Sequence, residues 1–205
     1  MTTADKERTE MTRKKNFAPG FAIILLLGFM VTTMPLWAAG NEKIEQQRVD
    51  IRNMANQTLA RLYKSQPSAQ KAIEKASGYA VFSNFGMKIL LAGGGSGKGI
   101  AVNNKSKQDT FMKMIEVQAG FGMGIKKFRL IFVFENQVDL DRFINSGWEL
   151  GGQATAAAQA GGQGGGLAGA MSISPGVWLY QLTDDGLAVE LTAKGTKYYK
   201  DDNLN

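Results

Sequence analysis

The stretch Ala92–Ile100 reads AGGGSGKGI, with glycine at 93, 95, 97 and 99. Gly120, Gly122 and Gly124 repeat that spacing further on. Successive residues of a strand point to opposite faces, so glycine at every second position strips one face of side chains. A strand of this kind can bend sharply, or lets another element sit close to its backbone. The glycines read as architecture.

The same stretch imitates a phosphate-gripping loop and fails as one. That motif needs a glycine, four residues, then Gly-Lys and a hydroxyl. Counting back from Gly97-Lys98, Ala92 stands at the first position and Gly99 at the last. Residues 99–104 read GIAVNN, a β-type run, where the motif requires a helix N-terminus. A dinucleotide fingerprint lacks its crossover helix and its parallel βαβ rhythm. No nucleotide is expected.

Composition narrows the chemistry further. The 205 residues include no cysteine and no histidine, which removes disulfides, thiolate or imidazole metal sites and Cys–His nucleophile pairs. Carboxylates such as Asp139, Asp141 and Glu149 remain for a hydrolase, but they sit on or beside one helix with no evident partner pair. A protein without catalytic residues, cofactor or metal is expected. Net charge is +6, of which the first forty residues (five basic, three acidic) carry +2, leaving +4 for the remainder. That is too mild for a dedicated nucleic-acid binder, yet permits attraction to an anionic surface.

The N-terminus reads as an address. TRKKN at 12–16 precedes an apolar run from Phe21 to Val31, with small residues at Ala38, Ala39 and Gly40. Residues 1–40 are therefore expected to be a secretory signal peptide or an uncleaved anchor, placing the protein outside the cytoplasm, in the periplasm or on a membrane. The apolar segment is short for a spanning helix and contains Pro35.

Residues 41–205 read as one domain. A helix is expected to about Lys64, with Ile44, Ile51, Met54, Ala55, Thr58 and Leu62 near one stripe. A short second helix is expected with Ser65 as its cap and Pro67 in its first turn. Strands are expected at 79–82 and 87–92, and from Val117 to Ile125, with a tight turn at Lys126-Lys127 into FRLIFVFEN. Both faces of that last segment are apolar, so it should be central and covered. A helix fits 137–146, capped by Asn136 and ended by Gly147. VWLYQLT (177–183) and LAVELTA (187–193) should pair around Asp184-Asp185-Gly186. The tract 151–170, rich in Gly and Ala, reads as either a linker or closely packed strands.

In order, the chain shows KASGYAVFSNFG, GGGSGKGI, VQAGFGMGIKKFRLIFVFEN, a helix with LDRF and GW-x-LGGQ, then an aromatic strand before DDGLAVELTAKGTKYY. This order resembles the SYLF lipid-binding domain family over roughly residues 43–202. The resemblance implies an α+β fold: a mainly antiparallel, twisted sheet of barrel or sandwich type, with N-terminal helices and one inserted helix. It implies phospholipid as partner; some eukaryotic members also bind actin filaments. Two departures stand out. DTFMKMIE (109–116) replaces the family's frequent Trp-Ser-x-Pro, and GGQGGG replaces Gly-Pro-x-Gly-Arg.

The expected function is a non-enzymatic cell-envelope protein that binds anionic phospholipid through basic turns. Lys98, Lys105 and Lys107 would serve around one turn, and Lys126, Lys127 and Arg129 around another. The alternative is an envelope protein–protein interaction module offering strand edges.

Overall fold

The computed structural model describes residues 36–89, 92–119, 124–150, 167–184, 186–188 and 195–205. The expected signal segment up to residue 35 and the Gly/Ala tract up to 166 lie outside them. Helices α1 (Leu36–Ser65) and α2 (Ser68–Lys75) precede strands β1 (Gly78–Ile89), β2 (Ala92–Asn103), β3 (Asp109–Ala119) and β4 (Gly124–Phe134). Helix α3 (Gln137–Ser146) comes next, then β5 (Trp148–Leu150), β6 (Met171–Ser174), β7 (Val177–Thr183), β8 (Gly186–Ala188) and β9 (Thr196–Lys200). The strands form one antiparallel sheet in the order β5-β9-β3-β2-β1-β4-β7-β6, with β8 beside the far half of β7.

Ring contacts show how strongly this sheet curls. Phe132 on β4 and Tyr198 on β9 are four strands apart in the order, about 19 Å in a flat sheet. Their ring centroids lie 4.9 Å apart. Only a sheet rolled into a half-barrel brings them together. Phe82 on β1 lies between them, 6.0 Å from Phe132 and 4.9 Å from Tyr198. The bare backbone of Gly99 makes room for Phe82, since a Cβ there would run into the Phe82 ring and the Val81 carbonyl. Gly97 likewise leaves room for Met114. The stripe thus serves curvature.

Each face of the sheet has its own core. The concave face holds Phe82, Phe132, Phe134, Met112, Leu130 and Tyr198, closed by Leu140 and Phe143 of α3. Asn136 caps α3 by accepting the Asp139 N–H at 2.9 Å, and Gly147 ends it at φ 71°. The convex face holds Val81, Ile100, Phe111, Ile131 and Val133, covered by Ile51, Ala55, Leu59 and Leu62 of α1 and by Ile73 of α2. β4 lies between β1 and β7, and from Leu130 to Phe134 both of its faces are buried, as the doubly apolar sequence implies.

Four local expectations change. The segments 79–82 and 87–89 belong to one continuous β1, with Ala92 starting β2. The alternation from 117 to 125 is divided: β3 ends at Ala119, β4 begins at Gly124, and two strands separate them. Lys126 and Lys127 therefore stand inside β4, opposite Gly86 and Phe85, and make no turn. Ser65 is no cap for α2; its hydroxyl donates back to the Arg61 carbonyl at 3.1 Å, closing α1.

Two outcomes test this packing. Gly99→Ala should lower unfolding free energy by roughly 1–3 kcal/mol in denaturant titration, because overpacking forces neighbours off their rotamers. Burial pushes the Tyr180 hydroxyl up to about 12, and that hydroxyl has no hydrogen-bond partner among the described residues. The unfolded phenol ionises first, so its contribution to stability is present below pH 10 and falls away between about pH 10 and 12. Tyr180→Phe should cost little at neutral pH and make stability decline less steeply over that alkaline window, as measured by thermal unfolding.

Candidate functional site

Helix α1 runs across the strands rather than along them. Arg48 sits over the Phe111 ring on β3 (5.9 Å). The Lys98 ammonium on β2 donates to Gln47 Oε1 at 2.8 Å. Met54 lines a groove with Ser83 of β1. Arg129 on β4 donates to Thr58 Oγ1 at 3.0 Å, and Arg61 donates to the carbonyl of Thr183 on β7 at 2.9 Å. From residue 48 to 61 a helix rises about 20 Å, which matches four strand spacings of about 4.8 Å. The belt fits the sheet.

Beneath its edge runs a row of cations. Register pairs Lys113 with Lys98, Lys98 with Ser83, and Ser83 with Arg129. Directly opposite residues share a face, and this is the convex face that α1 covers. Like charges side by side repel unless something answers them. Asp201 answers Lys113 at 2.7 Å; that bond comes first among the causes holding the Lys113 ammonium above its ordinary value. Lys98 and Arg129 have no such partner among the described ion pairs. Their bonds go to the neutral Gln47 and Thr58, and Thr58 holds its place by donating to the Met54 carbonyl at 2.7 Å. Burial, and then the neighbouring Arg61, lower the Arg129 guanidinium, while Asp184 opposes them. Beside Lys98 lies a groove of about 220 Å³ lined by Gln47, Asp50, Ile51, Met54 and Ser83.

The six expected cations do not share one place. Lys98 and Arg129 stand in this row. Lys126 and Lys127 pair with Gly86 and Phe85 along β4, and their side chains lie outside the described ones. Lys105 and Lys107 alone sit in a turn, between β2 and β3, at the other end of the strands. Asn103 Oδ1 organises that turn by accepting the backbone N–H groups of Lys105 (2.9 Å) and Ser106 (3.0 Å). Lys107 adopts φ 59° there. Placement in a turn is thus corrected for four of the six, which stand within β2 and β4. Lys113, Ser83, Gln47 and Thr58 escaped the sequence reading, because only register and the crossing of α1 bring them beside Lys98 and Arg129.

The carboxylates considered for catalysis have local duties. Asp139 accepts from Asn136 Nδ2 (2.7 Å) and Arg142 Nη1 (3.2 Å). Asp141 accepts from Gln137 at 2.8 Å, and Glu149 pairs with Lys197 at 3.4 Å.

Residues 115–205 match the Ysc84 family, described as "Las17-binding protein actin regulator". Over that span the chain is similar to the Ysc84 (SYLF) family. The protein is also similar to "Beta cell expansion factor A" of Aeromonas veronii, 32% identical over 166 residues. That alignment covers 78% of this chain and 59% of the relative, so the chain spans about six tenths of that protein's length. SYLF domains are binding modules related to lipid or actin, and they are not a known family of enzymes.

The Lys113–Asp201 bridge offers a check on this electrostatic division. Lys113→Met should lower stability at neutral pH, because it leaves a carboxylate that is 2% exposed without its cation. The deficit should shrink once pH rises above the ordinary lysine value, where the wild-type bridge is itself lost as the ammonium deprotonates. Denaturant titrations of both proteins at neutral and alkaline pH would measure this.

Proposed function

We propose that residues 41–205 form a non-enzymatic lipid-binding module of the cell envelope, exported by the N-terminal segment, that meets anionic phospholipid headgroups on its convex face. One observation carries the reading. Lys98 and Arg129 are held in a single register row by neutral hydrogen-bond partners, and neither forms an ion pair among the described residues. Headgroup phosphates seek such groups: each Lys or Arg near an anionic surface contributes about 1 kcal/mol. The groove walls Ile51 and Met54 add apolar surface next to the cations. Family membership supports a lipid module in general, and the basic, apolar and small-residue order of residues 12–40 supports export.

The protein should co-sediment with vesicles containing phosphatidylglycerol, less with added salt, and far less with pure phosphatidylcholine. Lys98→Gln with Arg129→Gln should weaken binding roughly tenfold or more, on the order of two such contributions. Lys105→Gln with Lys107→Gln should change it little. Equal loss from both pairs would mean diffuse attraction without a preferred face. No binding to any vesicle would return the protein to the envelope-interaction reading.

A further inference from the structure

At the far end of the α1 crossing, two guanidiniums reach one corner from opposite sides. Arg129 rises from β4 and donates from Nη1 to Thr58 Oγ1 on the helix at 3.0 Å. Arg61 descends from the helix and donates from Nη2 to the Thr183 carbonyl at 2.9 Å. Thr58 and Arg61 stand at i and i+3 on α1, which stacks them on one face with Cβ atoms about 5–6 Å apart. On the sheet, Arg129 stands directly opposite Leu182, and Thr183 is the next residue. One turn of helix and two adjacent strands therefore fix where both charges sit.

Each anchor is a neutral oxygen, and neither arginine forms an ion pair among the described residues. Arg61 is near enough to count, after burial, among the causes that lower the Arg129 guanidinium. Asp184, exposed just past β7, pulls the other way. Side-by-side cations repel, and more strongly where water is partly excluded. An anion bound between them relieves that repulsion. Its class follows from donors and charge. Each guanidinium carries its N–H donors in a planar fork that meets an oxyanion with paired bonds. Two forks and two positive charges suit an anion with three terminal oxygens and close to two negative charges. A phosphate monoester fits, with a charge of about −1.5 to −2 at neutral pH. A phosphodiester, with two terminal oxygens and a single charge, satisfies one fork.

We infer that Arg61 and Arg129 form a clamp for a phosphate monoester where α1 crosses β4 and β7, and that the clamp prefers this group to a phosphodiester. The inference deepens the lipid-binding reading above and rests on it for one of two sources of ligand. The phosphate is carried either by a lipid whose headgroup ends in it, such as phosphatidic acid, or by a soluble ester. Lys98 attracts any anionic surface; the clamp chooses among anions.

Methyl phosphate and dimethyl phosphate are the smallest probes that carry the difference. Titrated against the full chain and followed by phosphorus-31 NMR, methyl phosphate should bind saturably and roughly tenfold more tightly than dimethyl phosphate, the gain expected of a second charge-assisted fork. Arg61→Lys and Arg129→Lys each keep the charge and lose the fork, so each should bring the two affinities close to equal. Both should be checked for folding by circular dichroism, because Arg61→Lys also removes the tie to Thr183. Asp184→Asn supplies a variant with both forks intact. It takes away a nearby carboxylate, so methyl phosphate should bind several-fold more tightly to it. Absence of saturable binding, equal affinity of the wild type for the two probes, or a preference kept by both lysine variants would overturn the clamp. So would an Asp184→Asn variant that binds no more tightly. Vesicles tell the two sources apart. Stronger co-sedimentation with phosphatidic acid than with phosphatidylglycerol at matched surface potential, lost in Arg61→Lys, would put the phosphate on a lipid. Equal co-sedimentation beside selective methyl phosphate binding would keep the clamp and assign it a soluble ester. Failure to sediment with any vesicle would sink the lipid reading alone, since the soluble probes decide the clamp.

Discussion

Phe82 lies against the bare backbone of Gly99, and the curl of the sheet depends on that contact. A ring of this size can lean over the neighbouring strand only where that strand has no Cβ. Leaning there, it meets Phe132 on one side and Tyr198 on the other. Strands four places apart in the sheet are thereby tied through one aromatic cluster, which α3 closes with Phe143, 5.3 Å from Phe132 and 5.7 Å from Tyr198. Fully burying side chains of this kind contributes about 1.5–3 kcal/mol each, so the concave core stabilises the curl strongly. Curvature then decides everything on the other face. It defines a convex surface that α1 can cross at the level of Lys98, Ser83 and Arg129.

That crossing sorts the basic residues by what answers them. Lys113 has Asp201, and Arg52 has Asp109 at 2.8 Å while also lying 5.0 Å over the Phe111 ring. These cations are internally neutralised and hold the β3 side of the domain together. Lys98 and Arg129 are treated differently. An amide and a hydroxyl fix their geometry, and neither cation is in an ion pair among the described residues. The buried hydroxyls of Thr196 and Tyr198, by contrast, lie inside the barrel beside Glu116, and burial there drives the Tyr198 hydroxyl above its ordinary value. They belong to the interior.

Much of this was legible in the sequence where one side chain decides one structure. Asn136 and Gly147 delimit α3, the doubly apolar FRLIFVF is the covered central strand, and the stripe of α1 is buried at Ile51, Ala55, Thr58 and Leu62. Leu59 joined that stripe unannounced, since a helix face wide enough to cross five strands buries more than a narrow line. The turn at 126–127 was misplaced for a physical reason. Alternation from Val117 to Ile125 keeps its phase across the break between β3 and β4, so periodicity carries no sign of a chain reversal there. β5, β6 and β9, of three to five residues each, are too short for alternation to stand out. The cations suffered most: charge is visible in sequence, but a strand's face is set by register, and only register puts Lys113, Lys98 and Arg129 in one row.

Register also fixes where α1 lies. It crosses the strands at the level of the Lys98–Arg129 row. A helix in that position keeps its polar outer surface in water while its inner face stays on the sheet. The glycine stripe then acts twice along one strand. At Gly99 the missing side chain admits Phe82 and bends the sheet. At Gly97 the same spacing leaves room for Met114 beside the Ser83 carbonyl, so the one stripe shapes two neighbouring contacts of the concave core.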